Sequence, residues 1–285
     1  MINFKIVLKT LKITNYKKNI VILFPVLFSG TIFSIKLNEL TNLLIALISF
    51  SLLTSLVYIM NDLFDKEVDK FHPVKKYRPI ASGEISTGAI VVIVLTVLSI
   101  NFLLFVNFNI LKEVGVLFSI YFINNVFYNL YLKKINIFVS SLVISIGFYL
   151  RLLIGAKIIG IELTIWLSLF VIVSTYMISY LKKLYDNEIY SPEIISMNNK
   201  YFSFLLSILI LGIYFIHLNS YKLIGFNFIF VSNIFLFIYS VLLVMRFFLN
   251  NQGPKDPVDL FGFNFETAVF IFWFISYFQL RFTII

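Results

Sequence analysis

The sequence predicts an all-α, polytopic membrane protein of about nine transmembrane helices, N-in and C-out, on three observations. Hydrophobic residues make up 60% of the 285 and charged ones only 13%, with mean hydropathy +0.96. A soluble domain carries roughly twice that charged share. Apolar runs of about 20 residues, the length of a bilayer-spanning helix, recur from residue 20 to the C-terminus. The basic residues are unevenly shared between alternate connectors, which sets the orientation.

Taken in order, residues 1–19 form an amphipathic cytoplasmic segment carrying Lys5, Lys9, Lys12, Lys17 and Lys18. Spans follow at 20–37, 40–61, 88–109, 113–132, 136–156, 161–180, 202–218, 224–247 and 263–282. With the N-terminus inside, the cytoplasmic side also holds Lys66, Lys70, Lys75, Lys76 and Arg78, then Lys133, Lys134, Lys182, Lys183, Lys200, Arg246 and Lys255. The other side holds only Lys36, Lys112, Lys157, Lys222 and Arg281. The two long polar connectors, 62–87 and 181–201, both fall on the cytoplasmic side, so polar chemistry is expected there. Residues 1–285 read as one membrane-embedded domain of a bacterial or archaeal cytoplasmic membrane. The net charge of +9 is explained by orientation and membrane lipids, and nucleic acid is excluded as a partner. The chain has no cysteine, which rules out thiolate chemistry, and its two histidines lie far apart, against a zinc site.

The densest chemistry lies where the second span ends. Asp62, Asp65 and Asp69 stand at i, i+3 and i+7, one face of a helix, with Asn61 at its edge. Three like charges on one face require compensation. Hard oxygens at this spacing suit Mg2+ bridging to a substrate phosphate; they equally suit a solvated helix end paired with Lys66 and Lys70. Just beyond, His72, Lys75 and Arg78 are set between Pro73, Pro79 and Gly83, a pattern suited to phosphate oxygens. His72 reads as a phosphate ligand, a proton carrier or a turn cap.

Arg151 lies inside a span, where a charge is costly unless it faces a polar cavity or reaches the interface. It reads as a holder of substrate phosphate, as half of a structural ion pair, or as a snorkelling side chain. Lys182 and Lys183, with Tyr185, Asp186 and Glu188 a turn or two on, read as donor contacts or as an orientation signal. Asn125 and Asn129 share one face of the fourth span, where they line a cavity or bond neighbouring helices.

The run from Asn61 to Gly83 resembles the first signature of the UbiA-type intramembrane prenyltransferase superfamily. The finer pattern, His72-Pro73, Lys75 and Arg78-Pro79-Ile80-Ala81 with Gly83, is similar to its decaprenyl-phosphate phosphoribosyltransferase subgroup. Lys18-Asn19 with Pro25 and Phe28-Ser29-Gly30, Tyr128 with Lys133, Arg151 with Gly155-Ala156, Lys182-Lys183 with Asp186, and Pro257 to Leu260 resemble further stretches of that subgroup. The resemblance implies nine helices around a central cavity, with Asp62, Asp65 and Asp69 as Mg2+ ligands and, with Arg151, the catalytic set. It implies substrate contacts at Lys18, Asn61, His72, Lys75, Arg78, Tyr128, Lys133, Lys182, Lys183, Asp186 and Glu188. The sequence departs from the pattern at Lys12, Ile13 and Tyr16, where Arg, Pro and Trp are expected. Asp186 and Glu188 also replace a pair of aspartates four apart, which weakens the case for a second full Mg2+ site.

The implied reaction is Mg2+-dependent transfer of 5-phosphoribose from phosphoribosyl diphosphate to a polyprenyl phosphate such as decaprenyl phosphate, releasing pyrophosphate. The alternative is transfer of a prenyl group from a prenyl diphosphate to an aromatic or other polar acceptor. A transporter is the distant alternative, opposed by charges gathered at one face rather than the midplane. The oligomeric state is left open.

Overall fold

The computed structural model describes residues 4–108, 110–132, 135–190, 197–220, 228–249 and 265–282, and all regular structure among them is helical. The chain divides into two compact units, Met1–Lys133 with Leu150–Glu162, and Lys134–Tyr149 with Leu163–Ile285.

The first unit is organised on α3 (Leu37–Phe64), 28 residues and about 42 Å long, more than a bilayer core requires. Its first turn is fixed by Glu39, whose carboxylate accepts the backbone N–H of Lys36 at 3.2 Å. Lipid tails are as apolar as leucine, so burying leucine among helices gains little there, and fit and hydrogen bonds decide which faces meet. Accordingly α3 packs Leu43, Ala46, Phe50 and Val57 against Ile22 and Val26, against Val114, Phe118 and Tyr121 of α7 (Ile110–Leu130), and against Leu150 and Ile154 of α8 (Ile137–Ile158). The Phe50 ring meets Phe118 edge-on, with centroids 5.3 Å apart.

A second cluster fixes the connector after α3. Ile80 of α5 (Pro79–Ser82) and Ile85 pack with Ile59 of α3 and with Ile90, Ile93 and Val97 of α6 (Thr87–Phe108). Ile6, Val7 and Leu11 of α1 (Phe4–Leu11) close over it. The short α4 (Lys66–Asp69) and α5 are thereby held against the end of α3.

In the second unit, α9 (Ile165–Tyr190), α10 (Met197–Ser220), α11 (Phe228–Leu249) and α12 (Phe265–Phe282) enclose a polar knot. Tyr214 donates to Asn233 at 2.7 Å, Trp273 donates to Tyr214 at 3.1 Å, and Asn233 donates to Ser276 at 2.8 Å. Such side-chain bonds between helices are a main source of specificity in lipid.

Among the described residues, five helices are long and apolar enough to cross a membrane: Leu37–Phe64, Thr87–Phe108, Ile137–Ile158, Ile165–Leu184 and Tyr201–Asn219. The protein is therefore an integral membrane protein. Shorter apolar stretches lie at Val114–Leu130, Phe230–Leu242 and Ile271–Leu280, so the expected nine crossings are not reached by length and composition there. Helices occur at eight of the nine expected places, and the exception is the first. The apolar run 20–37 is broken into the end of a 3-10 segment (Ile13–Leu23), α2 (Phe24–Ser29) and a second 3-10 turn (Thr31–Phe33). Pro25 lies in the first turn of α2, where its missing N–H does least harm, and Gly30 ends α2 at φ 80°, a left-handed turn that suits glycine. Hydropathy averaging does not register either break.

Candidate active site

The end of α3 builds the outer half of the site. Asp62 lies in its last turn, Asp65 bridges to α4, and Asp69 ends α4. Asp62 and Asp69 are buried, each 2% exposed, and Asp65 is half-buried. Arg78 precedes Pro79, which disfavours helical geometry at Arg78 and leaves it extended at φ −69° and ψ 140°. From there its Nη1 donates to Asp62 Oδ1 at 2.9 Å and to Asp69 Oδ2 at 2.7 Å. Lys12 Nζ donates to the same Asp62 oxygen at 2.7 Å and stands 5.3 Å from the Tyr58 ring centroid. Burial pulls the Lys12 ammonium below the usual lysine range, and Asp62 opposes that pull.

The surrounding residues hold this arrangement. Asn129 of α7 donates to the side-chain oxygen of Asn61, and Tyr128 is close enough to Asp65 to feel its charge. His72 Nδ1 accepts the backbone N–H groups of Val74 and Lys75, each at 3.1 Å, and so caps the turn.

The inner half lies farther along α3. Ser51, Thr54, Ser55, Tyr58 and Asp62 form one stripe of that helix, about 16 Å from end to end. The segment from Lys12 to Asn19 runs antiparallel along it. Tyr16 and Ser55 share a hydrogen bond at 2.7 Å, and Asn19 Nδ2 donates to Ser51 at 3.0 Å and Thr54 at 3.3 Å. Asn19 Oδ1 in turn accepts from Arg151 Nε at 2.9 Å, and Arg151 Nη2 donates to the Tyr121 hydroxyl at 3.0 Å. The guanidinium also lies 5.1 Å from the Phe50 centroid and 4.9 Å from that of Tyr121. Arg151, 5% exposed, is thus held by neutral oxygens and ring faces among the partners seen.

The structure brings together Asn61, Asp62, Asp69, Arg78 and, through Asp65, Tyr128. Lys18 and Lys75 are half-buried. Lys182 and Lys183 lie on α9 in the second unit, half-buried and engaged. Lys133 and the side chains of Asp186 and Glu188 lie outside the described residues. Lys12, Tyr16, Asn19 and Tyr121 were missed as site residues. The i, i+4, i+7 spacing of the first three was the available signal, whereas Tyr121 offered none.

In the arrangement seen, Asp62 and Asp69 are paired with cations rather than gathered around one point. Among the described residues no three acidic or histidine side chains gather around one point. The position between Asp62 and Asp69 belongs to a guanidinium nitrogen. Asp62 and Asp69, two of the three expected ligands, are thus engaged by Arg78: α3 ends at Phe64, and the connector turns Arg78 in among the acids.

Fold and site define a helical membrane protein with an acid- and cation-lined mouth at the end of α3 and a buried arginine bonded to the segment that runs along that helix. Residues 22–275 match the UbiA prenyltransferase family, and the chain belongs to that family. It is 28% identical over 166 residues to a decaprenyl-phosphate phosphoribosyltransferase of Corynebacterium glutamicum, covering 57% of this chain and 48% of that one. An uncharacterised protein of Sinorhizobium fredii is 30% identical over 165 residues, covering 57% of this chain and 31% of that one. The chain thus spans between about a third and a half of the length of these relatives. A UbiA homologue from Archaeoglobus fulgidus, solved bound to GPP and Mg2+, superposes with a TM-score of 0.66 at 16% identity, over 97% of this chain and 99% of that one. A digeranylgeranylglyceryl phosphate synthase structure gives 0.62 at 15% identity, over 99% and 100%. At such identities the superpositions establish the fold.

Proposed function

We propose that this protein is a membrane-embedded transferase whose donor is a prenyl diphosphate and whose acceptor is a polar group presented at the membrane. The observation that carries the proposal is the joint placement of Lys12 and Arg78 on Asp62 and Asp69 at the end of α3. Cations held in place beside a substrate diphosphate neutralise the charge that grows on it as its bond to carbon breaks. Family membership over most of the chain, and the prenyl-ligand structures with the same fold, support the prenyl donor over the phosphoribosyl donor that the sequence alone favours.

In this reading Arg78 binds the donor's diphosphate, Asp62 and Asp69 orient its guanidinium, and Arg151 offers a positive charge deeper in the first unit. Magnesium accompanies the ligand in the Archaeoglobus structures and is expected with the donor here. Asp62, Asp65 and Asp69 are its proposed ligands, and no step is assigned to it. The proposal includes nine crossings, N-in and C-out, with the mouth on the cytoplasmic side, and the substrate contacts at Lys18, Asn61, His72, Lys75, Tyr128, Lys133, Lys182, Lys183, Asp186 and Glu188.

The second reading is transfer of 5-phosphoribose from phosphoribosyl diphosphate to a polyprenyl phosphate. It is favoured by the Corynebacterium relative and by 35% identity over 79 residues to a decaprenyl-phosphate phosphoribosyltransferase of Mycobacterium tuberculosis, 27% of this chain and 26% of that one. Purified protein in liposomes, given each labelled donor with Mg2+ and either an aromatic acceptor or polyprenyl phosphate, separates the two. Prenyl label joined to the aromatic acceptor supports the first reading; ribose label entering the lipid replaces it with the second. No transfer from either donor by folded protein overturns both.

A further inference from the structure

We propose that Lys12 is a donor-binding residue, whose ammonium rests on Asp62 when the site is empty and turns to the donor's diphosphate when it is filled. The inference rests on the diphosphate reading above and concerns a residue at which the sequence departs from the subgroup pattern, lysine standing where arginine is expected.

Three observations carry it. Lys12 has φ 51° and ψ 46°, the only left-handed non-glycine residue among those described. A lysine side chain gains nothing from that conformation, so the surroundings must impose it, and imposed strain of this kind gathers at functional sites. The surroundings are visible: Ser55 Oγ donates to the Leu11 carbonyl at 2.7 Å, Tyr16 bonds the same hydroxyl at 2.7 Å, and the Leu11 side chain is packed among the isoleucines over α6. The chain is therefore pinned on both sides of Lys12, and the turn between aims its side chain at the mouth.

The second observation is redundancy. Lys12 Nζ and Arg78 Nη1 bond the same atom, Asp62 Oδ1, at 2.7 and 2.9 Å. Arg78 also holds Asp69, so each acid keeps a hydrogen bond to a cation if the ammonium leaves. Third, Lys12 has three N–H donors but one acceptor among the described residues, and its side chain is 19% exposed. It can reach an incoming anion by side-chain rotation alone, without unpinning the backbone.

The test uses the full chain in detergent, with inorganic pyrophosphate and Mg2+ as the probe in calorimetric titrations. Lys12→Asn keeps a residue that tolerates the left-handed turn and removes the ammonium; Lys12→Arg keeps the charge. Lys12→Asn is expected to melt with the wild type and to bind pyrophosphate about tenfold more weakly, as for a lost hydrogen bond to a charged group. Donor KM should rise in that variant while acceptor KM holds, and Lys12→Arg should recover most of the binding. Wild-type affinity in Lys12→Asn overturns the inference, as does equal loss in both variants, which would assign Lys12 to the turn alone. If Arg78→Gln loses binding while Lys12→Asn keeps it, this inference fails and the diphosphate reading stands. A wild-type protein that ignores pyrophosphate overturns both.

Discussion

Gly155 is where the inner half of the site is most easily broken. A Cβ built there would lie 1.8 Å from the Ile22 carbonyl oxygen and 2.8 Å from its carbon, both backbone atoms with no rotamer to escape through. In Gly155→Ala the segment carrying Ile22 must retreat by more than about 1 Å, the scale at which overpacking costs about 1–3 kcal/mol. Ile22 is fully buried against Leu43, Ala46 and Ile154, so the retreat also loosens that cluster. Asn19 lies three residues back on the same segment, and its bond to Arg151, one turn from Gly155 on α8, goes with it. Losing a hydrogen bond to a buried charge adds about 1.5–3 kcal/mol. Against this, alanine exceeds glycine by about 1 kcal/mol in a helix interior. The net is a loss of about 2–4 kcal/mol, read by thermal unfolding in detergent. Gly212→Ala is the control, since a Cβ there meets nothing within 4 Å, and it should be neutral or slightly stabilising. If Gly155→Ala is as stable as the control, the close approach of the 3-10 segment to α8 does not hold Asn19 against Arg151, and the reasoning fails.

Other substitutions report on other parts of the account. Asp62→Asn leaves Lys12 and Arg78 crowded around a neutral amide, and should abolish transfer and cost about 2–4 kcal/mol in denaturant titrations, with half-exposed Arg78 keeping the loss at the lower end. Arg151→Lys removes the planar fork that reaches Asn19 and Tyr121 together, so both stability and transfer should fall, measured by melting and initial rates. A double-mutant cycle of Asn61→Ala and Asn129→Ala should show a coupling of about 1 kcal/mol, and additivity would deny that α7 holds the end of α3 through this pair.

What the sequence disclosed follows from the range of each contact. In lipid a spanning segment must be apolar and helical whatever it packs against, so most helices can be read from composition. The outer site was legible because Asp62, Asp69 and Arg78 are neighbours in sequence, and Pro79 fixes how Arg78 is presented. The inner site was not, because Arg151 meets Asn19 across 132 residues and no local pattern records that meeting. Lys12 was read as an orienting charge and as a departure from the family pattern, but its pairing with Asp62 was not legible, since its left-handed turn depends on Ser55, 44 residues beyond Leu11. The pairing of Asp62 and Asp69 with Arg78 was not legible for a similar reason: the acids' spacing is local, while the guanidinium is delivered by the shape of the connector.

The central claim is that the mouth around Asp62 and Arg78 cleaves a diphosphate donor, and pyrophosphate release tests it most directly. Wild-type protein, Asp62→Asn and Arg78→Gln would be reconstituted in liposomes with a prenyl diphosphate, a polar acceptor and Mg2+, and pyrophosphate followed continuously. The account expects release by the wild type, in step with product, and almost none by either variant. Product formed with no pyrophosphate, or undiminished release by both variants, would contradict it.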